Sequence, residues 1–333
     1  MISCLNFRSD PRIPVLVSIK GPVLEDNELR LLQKYRPVGV LLFGENCENE
    51  IQVKTLINRL KQMGFIIAID LEGKCVNRFR KFYPIDKDAF SFSNASIDEI
   101  YNFHYKIAKY AKTLGVDIIL GPVTDVCSDP SAFMFKRCFS GNPRRVAECV
   151  TAAIRAYQDA GIFPVIKHLP GHGKAIDSHK ELPTINASEE ELMECDIAAS
   201  AIVIQNLSSS HRSLPGAMVS HVIYSELDPH FPASLSKIII KKIIREHIGI
   251  KNNLIFSDDM RMQAISKFLT LRQNIKSQNF LFSAVNSFLN ADGDIAIIGP
   301  ITQLETLPAA FPKNRKIMQK ILKFIKSTNH IQN

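Results

Sequence analysis

No apolar run in the 333-residue chain approaches the roughly 20 residues that a membrane-spanning helix needs, so membrane insertion is not expected. The opening residues, from Met1 to Arg8, hold no apolar core of signal-peptide length. There is no C-x-x-C pair. The seven cysteines are odd in number and scattered over positions 4, 47, 75, 127, 138, 149 and 195. That usage excludes a disulfide framework and a structural zinc site as organising features, and it points to a reducing, cytoplasmic compartment. Neither an internal repeat nor a low-complexity linker interrupts the chain. The net charge of +8 is modest for this length. Its densest basic stretches, 237–245 and 313–326, interleave the cations with Ile, Leu, Phe and Met at helical spacing. Outer helices with lysines in water account for both. A nucleic-acid partner is not expected, because stacking aromatics are nearly absent there.

What is present is core material, with 46% hydrophobic and 22% charged residues. Short apolar, β-branched runs recur at 13–19, 38–43, 65–69, 116–120, 163–166, 217–220, 254–256 and 295–298. Most are continuous rather than alternating, as parallel strands buried on both faces should be. Between them, 97–114, 143–160, 188–205 and 235–247 carry the 3.6-residue pattern of helices. Polar starts at 186–191 and Gly249 after the last of these helices mark ends. The serine-rich stretch 207–214 reads as a loop, and 265–282 fits no element cleanly.

Eight strand–helix alternations are the count of a (β/α)8 barrel, although a doubly wound sheet also alternates. The polar residues decide between them. Asp70, Lys167, His168, His221 and Asp258 each fall at or just after the end of an expected strand, and in a barrel those ends converge on one face. The expected fold class is therefore α/β, a single (β/α)8 TIM-type barrel over residues 1–333. Such a barrel takes about 250 residues, which leaves 300–333 as a basic helical extension packed on it.

The stretch 167–179, KHLPGHGKAIDSH, holds three of the nine histidines beside a lysine and an aspartate. A polar loop hung from an apolar strand is where an α/β enzyme keeps its chemistry, and glycines on both sides of His172 permit close approach of a ligand. His168, His172, Asp177 and His179 offer four metal ligands. Pro170 and Gly171 prevent a helix from presenting the first two together, so no metal is expected. Asp258 can be read as a strand-end nucleophile or as a helix N-cap, and Asp259 could equally be the cap. Arg137 alone reads as a structural arginine before a helix, and D-x-H alone as a surface hydrogen bond.

KHLPGHG followed by DSH resembles the KHFPGHG…DSH signature of the bacterial β-N-acetylhexosaminidases of glycoside hydrolase family 3. FSDDM at 256–260 is similar to the family's FSDDL, and DLEGKCVNRFR at 70–80 to its D-x-EGGRVxRF. Arg137 to Pro143 resembles R-x-F-x-x-(D/N)-P, and Gly121 to Asp125 resembles APVxD. Phe43 to Asn46 and Met218 to Val222 match further landmarks in the same order. The resemblance implies a barrel that cleaves terminal N-acetylglucosamine with retention, through a covalent glycosyl-aspartate.

Residue by residue, it implies Asp258 as nucleophile and His179 as acid/base with Asp177 as its partner. It implies Asp70, Arg78, Lys167 and His168 as sugar binders, and Arg137 as a binder of the acetamido sugar or of a neighbouring residue. Asp125 would hold loops together, and His172 would shape its own loop. The implied substrate is a small saccharide or muropeptide, N-acetylglucosamine linked to anhydro-N-acetylmuramic acid, in peptidoglycan recycling. No cofactor is implied, and a monomer is expected. The chain departs from the pattern at Lys74 and Cys75, where the family has Gly and Arg. Lysine resists positive φ, so the turn there is expected to change. A glycoside phosphorylase, an inactive sugar-binding homologue and a metal hydrolase are the rival readings.

Overall fold

The continuous apolar runs become strands buried on both faces. The computed structural model describes residues 12–173, 182–273, 280–308, 311, 319–321 and 323. Eight strands, β1 (Ile13–Ser18), β2 (Pro37–Leu42), β3 (Ile66–Ile69), β4 (Ile118–Val123), β5 (Phe163–Leu169), β7 (Gly216–Val219), β9 (Ile255–Asp259) and β10 (Ile295–Pro300), close into a barrel. Their order around it is β1-β10-β9-β7-β5-β4-β3-β2, and every pairing is parallel. Two short strands, β6 (Thr184–Ile185) and β8 (Ile223–Tyr224), pair outside it. This is the expected (β/α)8 architecture.

Period-2 geometry sorts the strand residues into two cores. Leu16, Leu41, Ile66, Ala68, Leu120, Val165, Met218, Phe256 and Ile297 form the cluster inside the barrel. Val15, Val17, Val40, Leu42, Ile67, Ile69, Ile166 and Val219 face outward and join the helices in a second cluster. The inner cluster also takes in Ile321, while neighbouring Lys320 reaches Asp294, just before β10, at 2.9 Å. The described part of the last segment therefore packs against the N-terminal end of the barrel.

The helices are α1 (Asp26–Tyr35), α2 (Glu50–Gln62), α3 (Ile97–Leu114), α4 (Pro143–Asp159), α5 (Glu189–Glu194), α6 (Asp196–Ser209), α7 (Gln263–Gln273) and α8 (Phe280–Asn290). Local chemistry sets their ends. Ser96 Oγ accepts the amide of Glu99 at 3.2 Å to start α3, and Gly115 closes it at φ 100°. Asn142 caps α4 ahead of Pro143, and Ser188 caps α5.

Four readings of the sequence need correction. The helix expected over 188–205 breaks at Cys195 (φ −109°, ψ −95°), and Asp196 turns inward there to accept the amide of Val126 at 3.1 Å. The helix expected over 235–247 starts at Ile238 and is wound wide, with π-type hydrogen bonding. Five isoleucines between 238 and 244 would crowd the turns of a normal α-helix. The serine-rich 207–214 begins inside α6, and 265–282 holds parts of α7 and α8, with 274–279 outside the described residues.

Candidate active site

A cavity of about 270 Å³ opens at the C-terminal ends of the strands. Leu41, Leu120, Met218 and Ile297, from four different strands, line its apolar part. Its polar wall carries Asp70, Glu72, Arg78, Arg137, Lys167, His168, Asp258 and Asp259. Small-molecule sites run from about 300 Å³ upward, so this volume suits one sugar ring rather than an oligosaccharide. Six of the eight site residues expected from sequence converge here. The other two, Asp177 and His179, lie outside the described residues.

Charge alternates through the wall. Lys167, at the end of β5 and 2% exposed, sits 2.8 Å from Asp70 Oδ1 and 2.5 Å from Glu72 Oε1. Arg78 donates to Asp70 Oδ2 at 2.9 Å, with its guanidinium 5.1 Å from the centre of the Phe43 ring. Arg137 grips Glu72 with two parallel hydrogen bonds of 2.8 Å, from Nε and from a terminal nitrogen. Burial disfavours both carboxylates, but the cations outweigh it. Lys167 and Arg78 hold Asp70 well below the usual carboxylate range, while Arg137 and Lys167 hold Glu72 near pKa 2. Burial also works against the Lys167 ammonium, and Asp70 and Glu72 reverse that to raise its pKa. The cluster is fully ionised at neutral pH. It presents both donors and acceptors, as a polyhydroxylated ligand requires.

Glu72 is the residue that sequence reading missed as a member of the site. The signal was the D-x-E spacing: positions 70 and 72 are two apart beyond the end of β3, a separation that puts side chains on one side of an extended chain. Below them, Tyr157 Oη donates to the carbonyl of Leu71 at 3.3 Å and takes a hydrogen bond from His104 Nδ1 at 3.2 Å. Both rings are buried and support the loop from underneath.

Asp125, fully buried after β4, accepts from His168 Nδ1 at 2.8 Å and from the amides of His168 and His172 at 3.2 and 2.7 Å. Burial raises its pKa, but His168 overrides this and keeps it below the ordinary value. A carboxylate only accepts, so Nδ1 of His168 carries a proton and donates it to Asp125. Asp125 thus holds two loops together, as expected. Gly171 and Gly173 answer a different need from the one read in sequence. A Cβ at Gly171 would overlap the side chain of Asp196, and one at Gly173 the carbonyl of Val126. The glycines let this loop pack against its neighbours rather than against a ligand.

The two aspartates ending β9 are held differently. Asp259 accepts from the amide and guanidinium of Arg261 at 3.0, 3.1 and 2.6 Å, so it makes the turn. Asp258 borders the cavity, and its Oδ1 accepts the amide of Asp259 at 2.8 Å. His221 is buried behind them. Its Nε2 donates to the carbonyl of Asp259 at 3.1 Å, and Ser234 Oγ donates to its Nδ1 at 2.7 Å. It braces β9. In the turn at Lys74, Gly73 takes the positive φ of 142° and Lys74 does not. Lys74 and Cys75 both point to solvent.

The Glycosyl hydrolase family 3 N terminal domain matches residues 10–321. A beta-hexosaminidase from Haemophilus influenzae is 33% identical over 258 residues, which are 75% of this chain and 71% of that protein. A beta-hexosaminidase from Neisseria meningitidis is 32% identical over 268 residues, 76% of this chain and 71% of that protein. Among solved structures, NagZ from Neisseria gonorrhoeae, in complex with N-trifluoroacetyl-D-glucosamine, superposes with a TM-score of 0.80. It is 25% identical, with 97% of this chain and 94% of that one covered. CbsA from Thermotoga neapolitana gives a TM-score of 0.79 at 27% identity, covering 96% of this chain and 70% of that one. With the barrel, the cavity at its C-terminal end and a match over nearly the whole length, the chain belongs to glycosyl hydrolase family 3 and is a glycoside hydrolase.

Proposed function

We propose that the chain is a retaining β-N-acetylhexosaminidase that removes terminal β-linked N-acetylglucosamine. The observation that carries this is the cavity itself. One sugar-sized space joins an ionised Asp70–Lys167–Glu72–Arg137 wall to Asp258 at the end of β9. Deep in that space, Asp70, Arg78, Lys167 and His168 take the hydroxyls of the sugar, while Arg137 acts through Glu72 and the acetamido side. Such contacts place the anomeric carbon against a fixed nucleophile.

Asp258 attacks that carbon. The bond to the aglycone oxygen breaks as the bond to the carboxylate forms, and His179, paired with Asp177, gives the departing oxygen its proton. His179 then takes a proton from water, whose oxygen displaces Asp258 and releases the sugar with its configuration retained. Asp177 and His179 carry these roles on the resemblance of KHLPGHG followed by DSH to the family's signature. The chain acts as a single barrel, monomeric and without cofactor, on muropeptide-type saccharides in the cytoplasm during peptidoglycan recycling.

Release of 4-nitrophenol from its β-N-acetylglucosaminide, with wild type and Asp258→Ala side by side, tests the reading. Turnover that collapses in the variant and does not depend on phosphate supports a hydrolase. A sugar phosphate formed only with added phosphate would make it a phosphorylase, and saccharide binding without turnover would make it a binding protein.

A further inference from the structure

We propose that Phe133 is the platform for the group beyond the scissile bond, a second pyranose ring, which deepens the glycosidase reading and rests on it. Phe133 lies in the loop between β4 and α4, four residues before Arg137, and its ring borders the cavity. It is nevertheless 52% exposed. Of the large apolar side chains that stand exposed among the described residues, Phe133 alone borders this cavity. The Arg137 guanidinium lies 5.9 Å from its ring centre, and Arg137 is itself clamped by Glu72. The ring therefore stands beside a fixed neighbour.

Depth assigns the role. Lys167 and His168 are buried, so the sugar whose hydroxyls they bind must occupy the closed end. A space of about 270 Å³ holds that one ring, and whatever is attached to it must leave through the mouth. A phenyl ring has no donor or acceptor for hydroxyls. It offers an apolar face, and a pyranose carries a matching face of C–H bonds. Burying those two faces against each other is favourable without adding any contact to the terminal sugar.

The test compares two substrates that share the terminal sugar. In β-N-acetylglucosaminyl fluoride the leaving group is one atom, whereas in N,N′-diacetylchitobiose it is a whole ring. For Phe133→Ala, kcat/KM on the disaccharide is expected to fall about five- to tenfold, chiefly through KM, while the fluoride stays within about twofold. Phe133→Tyr restores the disaccharide rate. An equal loss on both substrates would put Phe133 on the terminal sugar or in the loop's folding, and no loss on the disaccharide would remove it from binding. Either result overturns the platform while the glycosidase reading stands. A wild type inert towards both substrates would overturn that reading and the platform with it.

Discussion

At the N-terminal end of the barrel, Arg245 donates to the carbonyls of Ile250, Lys251, Asn253 and Asp292 and to Asp294, whose carboxylate also takes Lys320 and the amide of Ile255. At the C-terminal end, Lys167, Arg78 and Arg137 share Asp70 and Glu72 along the wall of a cavity. The charge types are the same and the burial is similar. At the first end the acceptors are strand and loop carbonyls, and Ile321 seals the core beside them. At the second the same groups border open space. Ion pairs directed at backbone fix the barrel, and ion pairs bordering a cavity remain able to exchange contacts with a ligand.

Substitutions at the two ends should separate activity from stability. The largest effect is expected from Asp258→Ala, which should lower kcat/KM by roughly 10³- to 10⁵-fold while calorimetry shows the melting point shifted by only a few degrees. Asp294→Ala should do the reverse. It removes the carboxylate that Arg245 and Lys320 share and leaves Arg245 on Asp292 and the backbone carbonyls, costs about 1–3 kcal/mol in urea unfolding and leaves kcat/KM of the folded protein unchanged.

Acid should weaken the C-terminal end of the comparison in steps. Burial lowers the pKa of His172 to about 4 and of His104 to about 3, from 6.5. The unfolded chain therefore takes up protons first, and stability is lost as pH falls from 6.5 towards those values. Glu72, near 2 against 4.5, adds stability that is full above 4.5 and lost as pH falls towards 2. The loss is read from urea midpoints across pH. Glu72→Gln should flatten the part of that profile below 4.5. At neutral pH it should raise KM about tenfold, because Lys167 and Arg137 lose a shared charge. A KM left unchanged would show that the wall is structural, like the closed end.

The strands were legible because continuous apolar runs have few other uses, and all eight appear where sequence placed them. The convergence of Asp70, Lys167, His168 and Asp258 was legible because a barrel brings strand ends together. The break at Cys195 was not, since the apolar period runs through it and its cause, the amide of Val126, lies 70 residues away. The wide winding of 238–247 escaped for a related reason, because a pattern of period 3.6 does not report which carbonyl each amide chooses. Glu72 sat in a recognised motif, yet its partners Lys167 and Arg137 come from β5 and from the segment between β4 and α4. That Arg261 pairs with Asp259 was not legible either, because its side chain could have reached Asp258 as well.

The account turns on Asp258 as the nucleophile, and trapping the covalent intermediate tests it most directly. A 5-fluoro N-acetylglucosaminyl fluoride loads the enzyme quickly and leaves it slowly, so peptide mass spectrometry can locate the sugar. The account predicts an ester on Asp258 in the wild type and none in Asp258→Ala. A sugar on Asp259, or inactivation of wild type and variant alike, would contradict it.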